Sequence, residues 1–204
     1  DFVFDEIDTT QYEQVWAGSN SAFGEVWWFY CSKASNQVDK YVIWNYQENL
    51  WYTGSLDRST WIDSGTYPLP YATKYDGTNS TLFIHEQGKN DDGSTLTSFI
   101  ESGDFDIGDG DDILFVNKLI PDFKNQVGNV NISLKSRYFP TDTQTTKGPF
   151  FYSTSSSKIN VRTRGRQIAV RLESNGYNNI NNDALDEDWR LGTLRFEVQP
   201  DGKR

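Results

Sequence analysis

This chain of 204 residues contains no methionine, one cysteine and one histidine. A single cysteine excludes an internal disulfide bond and a metal site built from several thiolates. A single histidine excludes a metal site built from several imidazoles. No apolar run approaches the roughly 20 residues of a membrane-spanning helix, and no secretory leader is visible. The lack of methionine and the start at Asp1-Phe2 predict a segment, or the C-terminal part, of a longer protein.

Aromatic residues are abundant instead. They make up 15% of the chain, whereas all hydrophobic residues together make up only 36%. Six of the seven tryptophans lie in the first 61 residues, in short segments that are also rich in β-branched residues. Such segments, separated by polar and glycine-containing turns, are typical of antiparallel strands. We therefore expect a core that consists largely of rings, with Cys31 as a small packed residue within it.

The pattern predicts an all-β protein. Alternation of apolar and polar residues is clearest at Ile132–Lys135 and Ile168–Leu172, and no helical period persists over three turns. The hairpin that runs from Tyr41 to Gly54 resembles part of one β-propeller blade. We expect partial propeller blades in residues 1–95, followed by a β-sandwich domain of about seven strands in residues 96–204. The predicted strands are 25–31, 40–46, 50–56, 69–75, 81–87, 96–102, 113–120, 128–137, 149–153, 158–164, 166–174 and 190–198.

Charge is distributed unevenly along the chain. Residues 1–112 hold 20 acidic and 5 basic residues, a net charge of −15, whereas residues 113–204 hold 9 and 14, a net charge of +5. The composition changes at Asp111-Asp112, beside the glycine-rich run from Gly103 to Gly110. This change indicates a domain boundary between residues 93 and 112.

No residue pattern points clearly to catalysis. His85 lies within an apolar strand pattern and is expected to be a hydrogen-bonded strand residue rather than a base. The carboxylates Glu101, Asp104 and Asp106 are a candidate pair or trio for a glycosidase, but such pairs are common in a chain with 29 acidic residues. We expect no catalytic residue and no enzymatic activity.

The run from Glu101 to Asp112 is the best candidate for a cation site, because several hard oxygen ligands lie on a glycine-bent loop. The EF-hand order fails, however, because Gly108 occupies the place of the third ligand. Asp-Gly pairs are also ordinary turn formers. We expect that Asp104, Asp106 and Asp109 hold no essential metal and that the protein needs no cofactor.

The basic residues Arg162, Arg164 and Arg166 alternate along a predicted strand, so they should share one face. Such a strip suits three alternatives: a phosphate-binding surface, a subunit interface that pairs with acidic surface, or a solvated edge strand. Because the chain supplies so much acidic surface, we favour the subunit interface.

Several motifs, spread from about Trp16 to the end of the chain, occur in a familiar order. They are Trp27-Trp28-Phe29-Tyr30, Val38-Asp39-Lys40-Tyr41-Val42, Asn49-Leu50-Trp51-Tyr52-Thr53-Gly54 with Arg58 and Trp61, the run 99–110, Arg164-Gly165-Arg166-Gln167, Asp188-Trp189-Arg190-Leu191-Gly192 and Pro200-Asp201-Gly202-Lys203-Arg204. In this order they resemble the last blades of the packaged-DNA stabilisation, tail hub or nozzle proteins of short-tailed bacteriophages (podoviruses).

The resemblance implies a structural virion protein located in the phage tail. It implies a propeller-containing subunit of a homo-oligomeric ring, typically of six copies, below the portal. Such a ring contacts portal or adaptor and tail proteins, extends the channel through which double-stranded DNA passes without sequence-specific binding, and helps to retain the packaged genome. No membrane partner is implied. The alternative is a carbohydrate-binding adhesin, on the tail or on a cell surface, in which exposed tryptophans stack on sugar rings; a propeller glycosidase is a third reading.

Overall fold

The computed structural model describes residues 2–106, 110–175 and 186–203, and these residues form an all-β protein, as predicted. The chain divides into two compact units, residues 1–87 and 88–204, which we call the first and second units. No helix among the described residues has the length and apolarity needed to cross a membrane.

The first unit opens with two short helices, which the sequence pattern did not predict. They are α1 (Phe2–Glu6) and a 3-10 helix (Thr9–Gln14). Asp8 caps the second helix, because its Oδ1 accepts a hydrogen bond of 2.9 Å from the Thr10 amide. The strands that follow are β1 (Trp16–Asn20), β2 (Glu25–Tyr30), β3 (Lys40–Asn45), β4 (Leu50–Ser55), β5 (Thr60–Ile62), β6 (Tyr71–Tyr75) and β7 (Ser80–Ile84), with a 3-10 turn (Ser21–Phe23) between β1 and β2.

These strands form two antiparallel sheets, β1-β2-β3-β4 and β5-β6-β7, each with neighbouring strands in chain order. The core of the unit is built largely from rings, as expected: Trp27 stacks on the Trp61 ring of β5 at a centroid separation of 5.3 Å, and Phe29 packs tilted against the same ring at 6.2 Å. Gly18 leaves room for Trp61, since a Cβ there would lie 2.8 Å from the indole. Cys31 is buried in this cluster, which confirms its prediction as a packed residue.

The second unit contains β8 (Asn90–Asp91), β9 (Ser94–Thr95), β10 (Phe99–Glu101), β11 (Asp112–Val127), β12 (Val130–Arg137), β13 (Thr145–Tyr152), β14 (Ile159–Gly165), β15 (Gln167–Ser174) and β16 (Asp188–Lys203). Seven of them form two antiparallel sheets, β10-β15-β12-β13 and β14-β11-β16. Both sheets contribute side chains to one core, which includes Val116, Ile132, Val161 and Ile168. This arrangement is a sandwich with apolar residues facing inward at every second position.

The two units meet in sequence after Gln87, earlier than the boundary expected at residue 95. The residues just after this point contact side chains of the second unit. Asn90 Nδ2 donates to Asp186 Oδ1 at 2.9 Å, and Lys89 forms an ion pair of 2.8 Å with Asp188. The change in charge balance near residue 112 therefore lies inside the second unit, at the start of β11.

Candidate functional site

Strand β14 positions two of the three arginines expected at a subunit interface. Its burial alternates strictly, so Val161 and Thr163 face the core while Arg162 and Arg164 are exposed on the outer face. Arg166 lies beyond the end of β14, in the turn that leads to β15, and is only half-exposed. β14 is an edge strand, and a register shift opposite Val116 and Lys118 gives Arg162 a φ of +50°. Such an irregularity disfavours edge-to-edge pairing through the backbone.

The three arginines differ in their partners. Arg164 forms an ion pair of 2.6 Å with Asp201 and lies 5.3 Å above the Phe115 ring. Arg166 donates from Nε to the carbonyl of Gly110 and lies 3.9 Å from Asp111. Arg162 has no carboxylate within 4.0 Å in the part of the chain that the structure describes. Two of the predicted donors are therefore engaged within the chain, and Arg162 alone of the three projects a charge without such a partner.

The outer face of β14, β11 and β16 carries further charges that only the strand register reveals. Lys118 pairs with Glu197 at 2.6 Å, and Arg195 pairs with Asp122 at 2.6 Å. Farther along the same two strands, two cations lie directly opposite each other: Lys124 on β11 and Arg190 on β16. Sequence reasoning missed this face because the contributing residues lie more than 60 positions apart in the chain.

In the first half of the candidate cation run, the carboxylates already bind other side chains of the protein. Glu101 accepts hydrogen bonds from Lys135 and Arg171, and these contacts lower the pKa of its carboxyl group, with the Lys135 bond the larger contribution. Asp104 pairs with Arg137 and accepts a bond of 2.9 Å from Gln144. Asp109 lies outside the described residues. Within the described ranges, no three His, Cys, Asp or Glu side chains gather as a metal site would require.

His85 follows β7 and is held between an arginine and an indole. Arg58 Nε donates to His85 Nε2 at 2.9 Å, so this imidazole nitrogen acts as an acceptor. The Trp61 ring lies 4.8 Å away between centroids. A nearby cavity of about 260 Å³ has one carboxylate in its lining, Asp57, which is paired with Arg58 and Lys74. A glycosidase needs two facing carboxylates, so this cavity does not have the composition of such a site.

An exposed aromatic surface lies on the outer face of the β1-β2-β3-β4 sheet. Trp44 and Trp51 are paired across β3 and β4, with ring centroids 6.1 Å apart. Trp51 also reaches Trp28 on β2, which is not its neighbouring strand, at 6.0 Å. We call these three residues the tryptophan plate. Trp51 is 62% exposed, so the plate is open to solvent.

Comparison of the chain with models of known protein families and with curated protein sequences gave no match.

Proposed function

We propose that this protein is a structural component of a short-tailed phage tail, a hub or nozzle subunit that forms a ring below the portal. In this role it extends the DNA channel and helps to retain the packaged genome. The motif order of the resemblance supports the family, and the geometry described above supports a role in assembly.

The observation that carries the proposal is that one sheet has large apolar residues on both faces. In β1-β2-β3-β4, Trp27, Phe29 and Ile43 pack inward, while Trp28, Trp44 and Trp51 face outward. A sheet exposed on one side normally alternates apolar and polar residues. A four-stranded meander that is apolar on both faces is suited to lie between two other layers, as a propeller blade does. This two-sided apolar character of the strands that contain the tryptophan motifs supports the proposal.

The charge distribution suits a DNA conduit. Duplex DNA carries one charge per roughly 1.7 Å of its axis, so a segment with a net charge of −15 repels it. Such a surface allows DNA to slide without adhering and keeps subunits soluble before assembly. In the ring, Arg162 would bind a carboxylate on the acidic surface of an adjacent subunit. A charge-assisted contact at a partly desolvated interface stabilises more than an isolated ion pair on the surface does.

The test is charge reversal at Arg162. We expect the Arg162→Glu variant to fold normally but to form fewer or weaker rings, as measured by light scattering and electron microscopy of the purified chain. Arg162→Lys is the matched control, because it changes the side chain at the same position but keeps its positive charge, and it should assemble like wild type. Reversal of all three arginines should also impair assembly, but it additionally breaks the Arg164–Asp201 and Arg166–Gly110 contacts.

Rings that form equally well from wild-type and Arg162→Glu protein, at low and at high salt, would show that Arg162 is only a solvated residue. A chain that forms no ring under any condition tested would contradict the assembly proposal itself.

The tryptophan plate favours carbohydrate binding as a second candidate function. Exposed indoles stack on the apolar faces of sugar rings, and Trp51 offers the largest exposed area of the three. An adhesin would bind glycans on an array and lose this binding in Trp51→Ala. A plate that packs against another protein layer would give no glycan signal in either protein.

A further inference from the structure

The one histidine of the chain accepts a hydrogen bond from an arginine side chain. The Nε atom of Arg58 donates to Nε2 of His85 over 2.9 Å. A guanidinium group keeps its proton at every pH at which proteins are handled. The imidazole nitrogen that faces it must therefore present a lone pair and carry no proton. Only the neutral imidazole fits this geometry.

Arg58 is fixed in this position by further contacts. Its side chain is only 6% exposed, and its Nη1 donates to the carbonyl of Asp57 at 2.9 Å and to the Oδ1 of the same residue at 3.2 Å. The guanidinium carbon lies 4.1 Å above the Phe83 ring of β7. The guanidinium cannot withdraw from the imidazole without losing these contacts. A proton on His85 Nε2 would therefore place two positive charges against each other in a partly desolvated place.

His85 is also fixed, and it lies at an important point of the first unit. Its backbone amide donates to the Pro70 carbonyl at 2.9 Å, just before β6. Its ring packs on Trp61 of β5, and Trp61 in turn stacks on Trp27 of β2. The imidazole thus supports the indole through which the β5-β6-β7 sheet contacts the β1-β2-β3-β4 sheet.

The neighbouring charged groups already have partners of their own. Asp57 faces Arg58 and also pairs with Lys74 of β6, so two cations share its charge. The carboxylates of Asp63 and Glu86 accept hydrogen bonds from side chains of β1. An imidazolium at position 85 would therefore compete with existing contacts for each of these carboxylates.

We propose that protonation of His85 breaks its hydrogen bond with Arg58 and loosens the β5-β6-β7 sheet, so that the two residues form an acid-sensitive switch in the first unit. Arg58 lines the cavity of about 260 Å³, which gives the displaced guanidinium space to move. The sequence pattern predicted His85 as a hydrogen-bonded strand residue but did not show that its partner is a cation. The inference does not depend on a role in phage tails.

The geometry determines the sign of the pH dependence. The unfolded chain binds the proton at the ordinary pH for histidine, about 6.5, whereas the folded chain resists it. Stability should therefore be complete above this pH and fall as the pH decreases below it. Glu86 acts in the opposite direction, because partial burial raises the pKa of its carboxyl group and its protonation favours the folded chain.

Proton NMR titration of the 204-residue chain follows the switch directly, because the chain has no other histidine. We expect the His85 ε1 proton to titrate at a lower pH in the folded chain than in the same chain unfolded in urea. Arg58→Gln removes the facing charge, so its midpoint should rise by about one pH unit or more. Lys74→Gln is the matched control, since it removes a cation that also contacts Asp57, and its midpoint should stay close to that of wild type.

Urea denaturation followed by tryptophan fluorescence measures the effect on stability. Exclusion of one proton from the folded chain should raise the unfolding equilibrium constant of wild type about tenfold between pH 7.5 and 5.5. His85→Gln keeps an oxygen that can accept from Arg58 but does not titrate, so its constant should change much less.

The wild-type titration needs no variant and is decisive by itself. A folded-state midpoint equal to or above that of the unfolded chain would overturn the proposal. The same follows if Lys74→Gln moves the midpoint as far as Arg58→Gln does, or if His85→Gln shows the full tenfold change.

Discussion

At the scale of single residues, one close contact in the first unit requires a residue that has no Cβ atom. The Trp61 indole lies against Gly18 on β1, and its Nε1 donates to the Ser19 carbonyl at 2.7 Å. The tryptophans were recognisable from the sequence as core or sheet-surface residues. Their partition between the two faces also follows from the sequence, because Trp27 and Trp28 are adjacent and must point to opposite sides. The need for glycine at position 18 could not be foreseen, since it depends on Trp61, 43 residues away.

The Gly18→Ala substitution should therefore destabilise the first unit. A Cβ would meet the Trp61 ring at 2.8 Å, and this overpacking should reduce the free energy of unfolding by about 1–3 kcal/mol. Urea denaturation followed by tryptophan fluorescence measures the effect, because six of the seven tryptophans lie in this unit. Gly103→Ala is the control, since a Cβ there meets nothing within 4 Å. Equal midpoints for the two variants would mean that Trp61 moves aside freely.

At the scale of elements, ion pairs connect neighbouring strands on the outer faces of the sandwich. Glu101 on β10 meets Arg171 on β15 and Lys135 on β12, so one carboxylate links three strands. The alternation of these strands was predicted correctly from the period of two. The ion-pair partners were not, because the sequence pattern around Glu101 indicated a solvated turn, and its contacts became visible only once its strand was paired.

The pKa of Glu101 predicts a pH-dependent contribution to stability. The folded-state pKa is lowered, so the contribution is present above the ordinary value of 4.5 and is lost as the pH falls through the folded-state value. Glu101→Gln should therefore be less stable than wild type by about 1 kcal/mol at pH 7. The difference should close below pH 4.5. Denaturation curves at several pH values measure it, with Glu13→Gln as control; a difference that stays constant with pH would rule out the ion pairs as its cause.

At the scale of the whole molecule, two units have separate cores. Among the described residues, the core of the second unit consists of side chains from Phe105 to Val198. The sequence pointed to two β-domains through the change in charge balance. Charge balance is a property of the protein surface, however, whereas the division after Gln87 follows from which residues contact one another, and Lys89 and Asn90 have partners in the second unit.

Residues 88–204 should fold on their own, and they should be more stable than residues 96–204. The longer fragment keeps the Lys89–Asp188 and Asn90–Asp186 contacts, which should stabilise it slightly at these exposed positions. Thermal unfolding followed by circular dichroism compares the two. If the shorter fragment is as stable as the longer one, the contacts of Lys89 and Asn90 do not stabilise the unit.

The all-β class, the inward and outward faces of β14 and the aromatic character of the first core could all be predicted from the sequence. These properties repeat every two residues along one strand, so they are local and can be read without knowledge of the fold. Other contacts are visible only in the folded chain: the ion pair of Arg164 with Asp201, the position of Lys124 opposite Arg190, and the hydrogen bond from Asn20 to Glu86. These contacts depend on strand register and on packing between distant segments, because burial of one apolar face selects a single register among many.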